Sequence, residues 1–114
     1  MTKEFPKRGE IWVVNFNPGR GSEQTGIRPA LIIQNDTGNR YAATTIVAAI
    51  TTVIKIYPVT VFMSAKTFGL SKDSMVNLAQ LLTVDKSRLM KRIGALSAEL
   101  INRVDEAIKI SLAC

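Results

Sequence analysis

Five short runs of β-branched and aromatic residues, separated by clusters of turn-forming residues, constrain the fold of this chain most strongly. Val, Ile, Thr, Trp and Phe favour strands, whereas Gly, Pro, Asn and Asp between such runs favour tight turns. The predicted strands are Glu10–Phe16, Ala30–Gln34 opened by Pro29, Thr44–Thr52, Val59–Met63 and Met75–Leu82. The turn-forming residues Asn35–Asn39 are predicted as a turn after the second of these strands. Short strands at such close intervals predict a small, strongly bent β-barrel.

The end of the chain has a different pattern, with apolar residues at helical spacing. Ser97 is a candidate N-cap, and Glu99 lies in the first turn, where the helix dipole favours an anion. The apolar stripe consists of Leu100, Ile101, Val104, Ala107, Ile108, Ser111 and Leu112. We interpret it as a face packed on the sheet. Two shorter helical pieces are predicted, a turn after Lys66 and a segment from Asp85 to Met90 capped by Asp85.

The length of the chain limits its number of domains, and its charge indicates the kind of partner that it binds. At 114 residues it fits one domain, 1–114, with a modest core. The net charge of +6 favours a polyanionic partner, although colloidal solubility explains the same excess. There is no apolar run long enough for a membrane helix and no secretory signal at the N-terminus, so the protein is expected to be cytoplasmic.

The chain contains no histidine, and its one cysteine is the final residue, Cys114. These counts exclude Ser-His-Asp and Cys-His nucleophilic systems, a histidine-pair ribonuclease and an intrachain disulfide. A zinc site would need carboxylates almost exclusively, so no metal and no cofactor are expected. Any chemistry must therefore come from other side chains.

Two polar residues lie where predicted strands meet loops. Arg28 follows a glycine-bounded loop and precedes the second strand, and Thr51 ends the third. If both strands belong to one sheet, these ends can meet across a groove. The residues alone leave other interpretations open: Arg28 could be a surface arginine or pair with Glu23 or Asp36, and Thr51 could be an ordinary strand residue.

Several sequence blocks in the same order resemble one known family. They are "KRGEIWVVNFNP", "GSEQTGIRPALIIQND", "GNR", "TIVAAIT", "DSMVNLAQLLTVDKSRL" and "VDEAIKISL", and together they span Lys7 to Leu112. The chain resembles the MazF/PemK/Kid toxin endoribonucleases. This resemblance implies a mainly β, SH3-like barrel with a C-terminal amphipathic α-helix and short connecting helices. It also implies a homodimer that cleaves single-stranded RNA at short sequences without metal and is neutralised by a cognate antitoxin.

The resemblance also assigns roles to individual residues. It implies that Arg28 and Thr51 are catalytic and that the loop Ser22, Glu23, Gln24, Thr25 approaches the RNA. The basic residues Arg20, Arg40 and Lys55 are then expected to follow RNA phosphates. One position departs from the family, because Ala79 stands where relatives often carry an acidic residue. An alanine supplies no carboxylate, so the family's mode of base readout from this strand does not transfer.

A ribonuclease without histidine must rely on the nucleophile that RNA carries. In-line attack by the 2′-hydroxyl on the adjacent phosphate gives a 2′,3′-cyclic phosphate and a 5′-hydroxyl, the products that the resemblance implies. Arg28 suits stabilisation of the phosphorane, because its planar fork can hold two oxygens. It does not suit proton abstraction, since the pKa of arginine is about 12.5 or higher. Glu23 or water remains the candidate base.

Two other functions stay open at this point. Barrels of this kind can poison DNA gyrase, as the CcdB toxins do, or can be binding modules without catalysis. The gyrase poisons rely on C-terminal helix residues, and Ser97–Cys114 shows no corresponding aromatic signal. An antitoxin would cover the basic groove with an acidic, partly disordered segment, which the positive charge of the chain favours.

Overall fold

The backbone forms a curled sheet of six strands with one long helix at the C-terminus. The computed structural model describes residues 5–17, 26–55, 58–68 and 70–114. The strands are β1 Glu10–Asn15, β2 Ile27–Ile32, β3 Thr44–Thr51, β4 Thr60–Met63, β5 Ser74–Asp85 and β6 Leu89–Ala95. The helices are α1 Asp36–Tyr41, α2 Ala65–Phe68 and α3 Ala98–Leu112, and a 3₁₀ turn spans Lys86–Arg88.

The strands are hydrogen-bonded in the order β4-β5-β3-β2-β1-β6, and every neighbouring pair is antiparallel. The longest strand, β5, has 12 residues and pairs with both β3 and β4. Register shifts interrupt the β3–β5 and β1–β6 pairs, and such bulges increase the local twist and bend of a strand. The prediction of a mainly β, barrel-like fold with a C-terminal helix is confirmed.

Alternating residues along the strands build two separate apolar cores. One core, here called the helix-side core, lies between the sheet and α3 and includes Leu31, Ile50 and Val104. The other, here called the second core, lies on the opposite face and consists of Val14, Phe16, Ala30, Ile32, Val47 and Val84. Both faces of the central strands are therefore buried over part of their length, which explains their nearly continuous apolar sequence.

The helix α3 matches its predicted cap and its predicted packing face. The Ser97 hydroxyl accepts a hydrogen bond from the Leu100 N–H at 3.3 Å, and Ala113 ends the helix in the left-handed conformation. Val104 and Ala107 are buried in the helix-side core. Leu112, the last residue of the predicted stripe, is exposed instead. Beside it, the Ser111 hydroxyl donates to the Leu78 carbonyl at 2.8 Å, so the polar neighbour faces the sheet.

The region after Asp85 differs from the prediction. Asp85 is a cap, as predicted, because its carboxylate accepts from the Ser87 N–H at 2.9 Å. However, the helical piece is a short 3₁₀ turn, and a sixth strand, β6, begins at Leu89. The charged residues of β6 hide its strand pattern, since Lys91 and Arg92 are both exposed on an outer strand of the sheet. Outer strands commonly carry such charges.

The segment Asn35–Asn39 was predicted as a turn but contains the start of α1. The Asn35 side chain caps this helix by accepting from the Gly38 N–H at 2.7 Å. Asn39 is completely buried, with 0% of its surface exposed. Its side-chain oxygen accepts from the Thr45 hydroxyl at 2.6 Å and from the Gln34 amide at 3.1 Å, and its own amide donates to the Gln34 carbonyl. This network ties α1 to the facing ends of β2 and β3.

Arg8 joins three parts of the molecule. Its backbone N–H donates to Asp36 at 2.7 Å, and its Nε donates to the Ile33 carbonyl at 2.9 Å. Its guanidinium also forms an ion pair with Asp105 of α3, at 2.7 Å. The N-terminal segment is thereby held against both the end of β2 and the helix.

Gly9 is a position where only glycine fits without strain. Its φ is +91°, and an added Cβ would lie 2.9 Å from Cδ1 of Ile101. We expect Gly9→Ala to lower the free energy of unfolding by about 1–3 kcal/mol, as measured by urea denaturation. The matched control is Gly26→Ala. Gly26 has a φ of +84°, but an added Cβ there meets no described atom within 4 Å. Equal losses in the two variants would show that the contact with Ile101 adds nothing.

Candidate functional site

The two residues singled out by sequence lie at the same end of neighbouring strands. The antiparallel register of β2 and β3 pairs Ala30 with Ala49, Leu31 with Ala48 and Ile32 with Val47. Continuing this register by two residues, from Ala30 back to Arg28 and from Ala49 on to Thr51, places Arg28 opposite Thr51. Residues that oppose each other in an antiparallel pair share a face, so both side chains belong to the face of the second core.

The pairing of β2 with β3 stops where these two residues stand. Pro29, which has no N–H to donate, separates Arg28 from the last paired residue, Ala30. On its other side β2 stays paired, with Arg28 opposite Val14 of β1. Arg28 is exposed, although the residues that follow it, Ala30 to Ile32, are buried. One firmly paired strand thus holds a charged side chain at the mouth of the second core.

Thr51 is partly buried, and its hydroxyl is oriented by the chain that follows. Its Oγ1 accepts a hydrogen bond from the Val53 N–H at 3.1 Å. A hydroxyl has one donor and two acceptor positions, and this bond uses one acceptor. The hydroxyl proton is not used in this bond and can donate to another acceptor, such as an anion.

Lys55 belongs to the same end of the sheet. Its backbone N–H lies 3.3 Å from the sulfur of Met75, and Met75 is the ladder partner of Thr51 on β5. The Lys55 carbonyl also accepts from the Thr60 hydroxyl at 3.1 Å. The exposed Lys55 therefore lies at the same end of the sheet as Thr51. Two cations and a hydroxyl at one end of a sheet suit the binding of a phosphate.

The next row of this face contains polar residues that sequence reasoning did not select. Asn77 pairs with Ala49 on one side and Thr60 on the other, so it shares the face of Arg28 and Thr51. Its side-chain oxygen accepts from the Ala79 N–H at 3.0 Å. A single asparagine inside a strand carries no sequence signal for a site, and only the register reveals its neighbours.

Ala79 lies at the irregularity of β5. Ala48 pairs with Leu81 and the next residue, Ala49, pairs with Asn77, so residues 78–80 have no partner on β3. Ala79 is exposed there and offers only a methyl group to anything bound nearby.

The structure does not bring all predicted RNA-binding residues together. Arg40 lies at the end of α1, before the first residue of β3, whereas Thr51 is the last residue of that strand. At the usual rise of a strand, the eight residues of β3 span about 23 Å from Thr44 to Thr51. Arg20 and the loop Ser22, Glu23, Gln24 and Thr25 lie outside the described residues.

One alternative role for Arg28, an ion pair with Asp36, is not supported. Asp36 lies beyond the opposite end of β2 and accepts there from the Arg8 N–H. The other alternative partner, Glu23, lies outside the described residues.

Within residues 5–17, 26–55, 58–68 and 70–114, no three carboxylate, thiol or imidazole groups come close enough to hold a metal ion. The helices of this same part of the chain are too short and too polar to cross a membrane.

A barrel-like antiparallel sheet with a C-terminal helix on one face is also the fold of the small MazF toxins. The chain belongs to the PemK-like, MazF-like toxins of type II toxin–antitoxin systems, whose family model matches residues 7–112. Among curated proteins it is similar to Endoribonuclease EndoA of Bacillus subtilis (strain 168). The two are 48% identical over 109 residues, which is 94% of this chain and 94% of EndoA.

Solved structures support the same fold. MazF from Deinococcus radiodurans superposes with a TM-score of 0.82 at 25% identity, covering 98% of this chain and all of that one. A mycobacterial endoribonuclease in complex with its cognate antitoxin gives a TM-score of 0.78 at 24% identity, over 95% of both chains. The prediction of MazF/PemK membership is confirmed by the family match and by the similarity to EndoA.

Proposed function

We propose that this chain is a toxin endoribonuclease that cleaves single-stranded RNA at short sequences without a metal ion. The observation that carries this proposal is the position of Arg28 and Thr51, which the register places opposite each other just beyond the last paired residues of β2 and β3. Membership of the toxin family and the 48% identity to an endoribonuclease support it.

The reaction is a transesterification within the RNA. The 2′-oxygen forms a bond to the adjacent phosphorus while the bond from phosphorus to the 5′-oxygen breaks, giving a 2′,3′-cyclic phosphate and a 5′-hydroxyl. The 2′-hydroxyl loses its proton, and the departing 5′-oxygen takes one up. An enzyme accelerates this step by aligning the 2′-oxygen with the leaving oxygen and by stabilising the extra charge on the phosphorane.

We assign Arg28 to stabilising the negative charge of the phosphorane. A guanidinium can donate two parallel hydrogen bonds to two phosphate oxygens, and this contact strengthens as negative charge accumulates. Arg28 can also give the proton to the leaving oxygen. It is not the base, because its pKa leaves almost no neutral form near pH 7. The base is Glu23 or a water molecule.

Thr51 is assigned to orienting the phosphate. The Val53 N–H fixes its hydroxyl oxygen, so the hydroxyl can donate to a phosphate oxygen with little loss of rotational freedom. Lys55, next to the ladder partner of Thr51, supplies a further positive charge for the RNA backbone. We assign base recognition to this end of the sheet, where the protein contacts the unpaired bases of single-stranded RNA.

The proposed partners follow from the charge of the chain and from its relatives. MazE–MazF complexes of Deinococcus radiodurans share this fold, with a TM-score of 0.77 in one crystal form. An antitoxin with an acidic, partly disordered segment fits a chain of net charge +6. We further propose that the chain acts as a homodimer in the cytoplasm, where its RNA substrate is found.

One experiment tests the activity against the alternatives. Purified protein is incubated with mixed single-stranded RNA in EDTA, and the 5′ ends of the products are mapped. Discrete cuts that leave 5′-hydroxyl ends are expected, with duplex RNA cut more slowly. Intact RNA together with inhibited DNA gyrase would replace this proposal with a gyrase poison, and intact RNA with active gyrase would leave a binding module.

The role of Thr51 can be tested by removing its hydroxyl at nearly constant volume. We expect Thr51→Val to lower the cleavage rate about 10- to 100-fold, because one hydrogen bond to a charged group is lost. Thr51→Ser keeps the hydroxyl and should stay within about fivefold of the original rate. Single-turnover kinetics on one RNA measures both. A valine variant that cleaves as fast as the original protein would show that the Thr51 hydroxyl makes no contact that the reaction needs.

A further inference from the structure

A groove lies beside the start of β3, at the opposite end of that strand from Thr51. It has a volume of about 630 Å³ and is formed where the N-terminal segment, the end of α1 and the 3₁₀ turn approach β1 and β6. Its apolar surface comes from Phe5, Pro6, Trp12 and Leu89. Arg40, Tyr41 and Lys86 also line it, and the proposed reaction uses none of these residues.

The aromatic residues of this groove are positioned for contact with a flat ligand. The indole N–H of Trp12 donates to the Glu10 carboxylate at 3.0 Å, so the ring is held and its polar atom is satisfied outside the groove. The Tyr41 side chain is far more open, with 75% of the residue exposed. An exposed tyrosine facing a groove with a fixed tryptophan offers a stacking surface.

Positive charge surrounds these rings. The guanidinium carbon of Arg40 lies 5.4 Å from the centre of the Tyr41 ring, within cation–π range, and this contact orients both side chains. Lys86 adds a second cation to the lining, and its backbone N–H donates to the Ala43 carbonyl at 3.0 Å.

One carboxylate, Asp85, also lines this groove. Asp85 caps the 3₁₀ turn. Hydrogen bonds from Ser87 and the nearby charge of Arg88 lower the pKa of Asp85 below its ordinary value. The groove therefore also contains one carboxylate that is ionised at neutral pH, beside the cations Arg40 and Lys86.

We infer that this groove binds a second stretch of the same single-stranded RNA, with a base stacked on Tyr41 and a phosphate held by Arg40 and Lys86. Aromatic faces combined with cations are the features by which proteins hold single-stranded nucleic acid. The separation of about 23 Å along β3 places this contact several nucleotides from the scissile phosphate. The inference rests on the proposed function for the class of ligand, but not on the cleavage step.

The groove carries its own optical probe, because Trp12 is the one tryptophan of the chain. The protein is titrated with a 2′-O-methyl oligoribonucleotide, which lacks the nucleophilic hydroxyl and stays intact. We expect the fluorescence of Trp12 to change along the same curve as the anisotropy of the labelled oligonucleotide. RNA that binds by anisotropy but leaves Trp12 unchanged would overturn the inference.

Two variants and their controls test the contacts. We expect Tyr41→Ala and Arg40→Gln each to weaken binding at least about fivefold, since one stacked base or one paired phosphate is lost. Ile110→Ala and Arg103→Gln change exposed residues of α3 and should leave the affinity within about twofold. Wild-type affinity in the Tyr41→Ala variant, or equal binding of duplex RNA, would refute stacking.

A final arm separates this inference from the proposed function and from another occupant. Normal cleavage with an unresponsive Trp12 would refute the groove alone. Responsive fluorescence without cleavage of ordinary RNA would refute the endoribonuclease assignment and keep the groove. If a poly-glutamate peptide changes Trp12 fluorescence as strongly as RNA does at equal charge, the groove is a protein site and the inference fails.

Discussion

Replacing Arg28 by alanine is expected to lower the rate of RNA cleavage by about 10²- to 10³-fold. This corresponds to about 2.7–4 kcal/mol, the usual cost of removing one donor that stabilises transition-state charge. Arg28 is exposed, so its removal leaves no cavity in either core. Single-turnover cleavage of one RNA measures the loss, and the midpoint of thermal unfolding, expected to change little, shows that the variant still folds.

The geometry of the guanidinium is tested separately from its charge. Arg28→Lys keeps a cation but loses the planar fork, so we expect most of the activity to be lost. The matched control is Arg103→Lys, an arginine on the exposed side of α3 that pairs with Glu99. If Arg28→Lys retained nearly full activity, the side chain would act as a point charge, and the bidentate contact proposed for the phosphorane would be wrong.

Replacing Asn39 by alanine is expected to be among the most damaging changes to stability. The side chain is fully buried and makes hydrogen bonds to Thr45 and to both the side chain and the backbone of Gln34. Removing it leaves the buried Thr45 hydroxyl without its acceptor. We expect the free energy of unfolding to fall by about 2–4 kcal/mol, measured by urea denaturation.

A double-variant cycle shows whether the network is the cause. Thr45→Val removes the hydroxyl that Asn39 accepts from, so the combined variant should lose less than the sum of the two single losses. Asn102→Ala, at an exposed position of α3, is the matched asparagine control and should cost under about 0.5 kcal/mol. Strict additivity of the Asn39 and Thr45 losses would mean that the two side chains are not coupled.

The sequence predicts this fold well where local preference and burial agree. The β-branched runs became β1 to β5, and the capped stripe after Ser97 became α3. Prediction failed where residues that commonly form turns also cap helices. Turn-forming residues between Asn35 and Asn39 were expected to end a strand, yet their side chains cap and anchor α1. The strand β6 was missed because its exposed face carries the charges typical of a turn or a short helix.

The sequence predicts which residues belong to the candidate site but not how they are arranged. Arg28 and Thr51 could be placed at strand ends, and the family resemblance selected them from many similar positions. Their opposition depends on the register of β2 against β3, which the intervening α1 and the buried Asn39 help to fix. The distance of Arg40 from this site could not be predicted, because the sequence shows its charge but not that it precedes the far end of β3.

The outer strand β6 also affects how the protein behaves when it is abundant. It pairs with β1 through two register shifts, and Lys91 and Arg92 project from it into solvent. An irregular, charged border is a poor template for the strand of another chain, because approach brings like charges together and the hydrogen-bonding groups do not align. Crowded copies of the protein are therefore expected to resist fibrous self-association along this border.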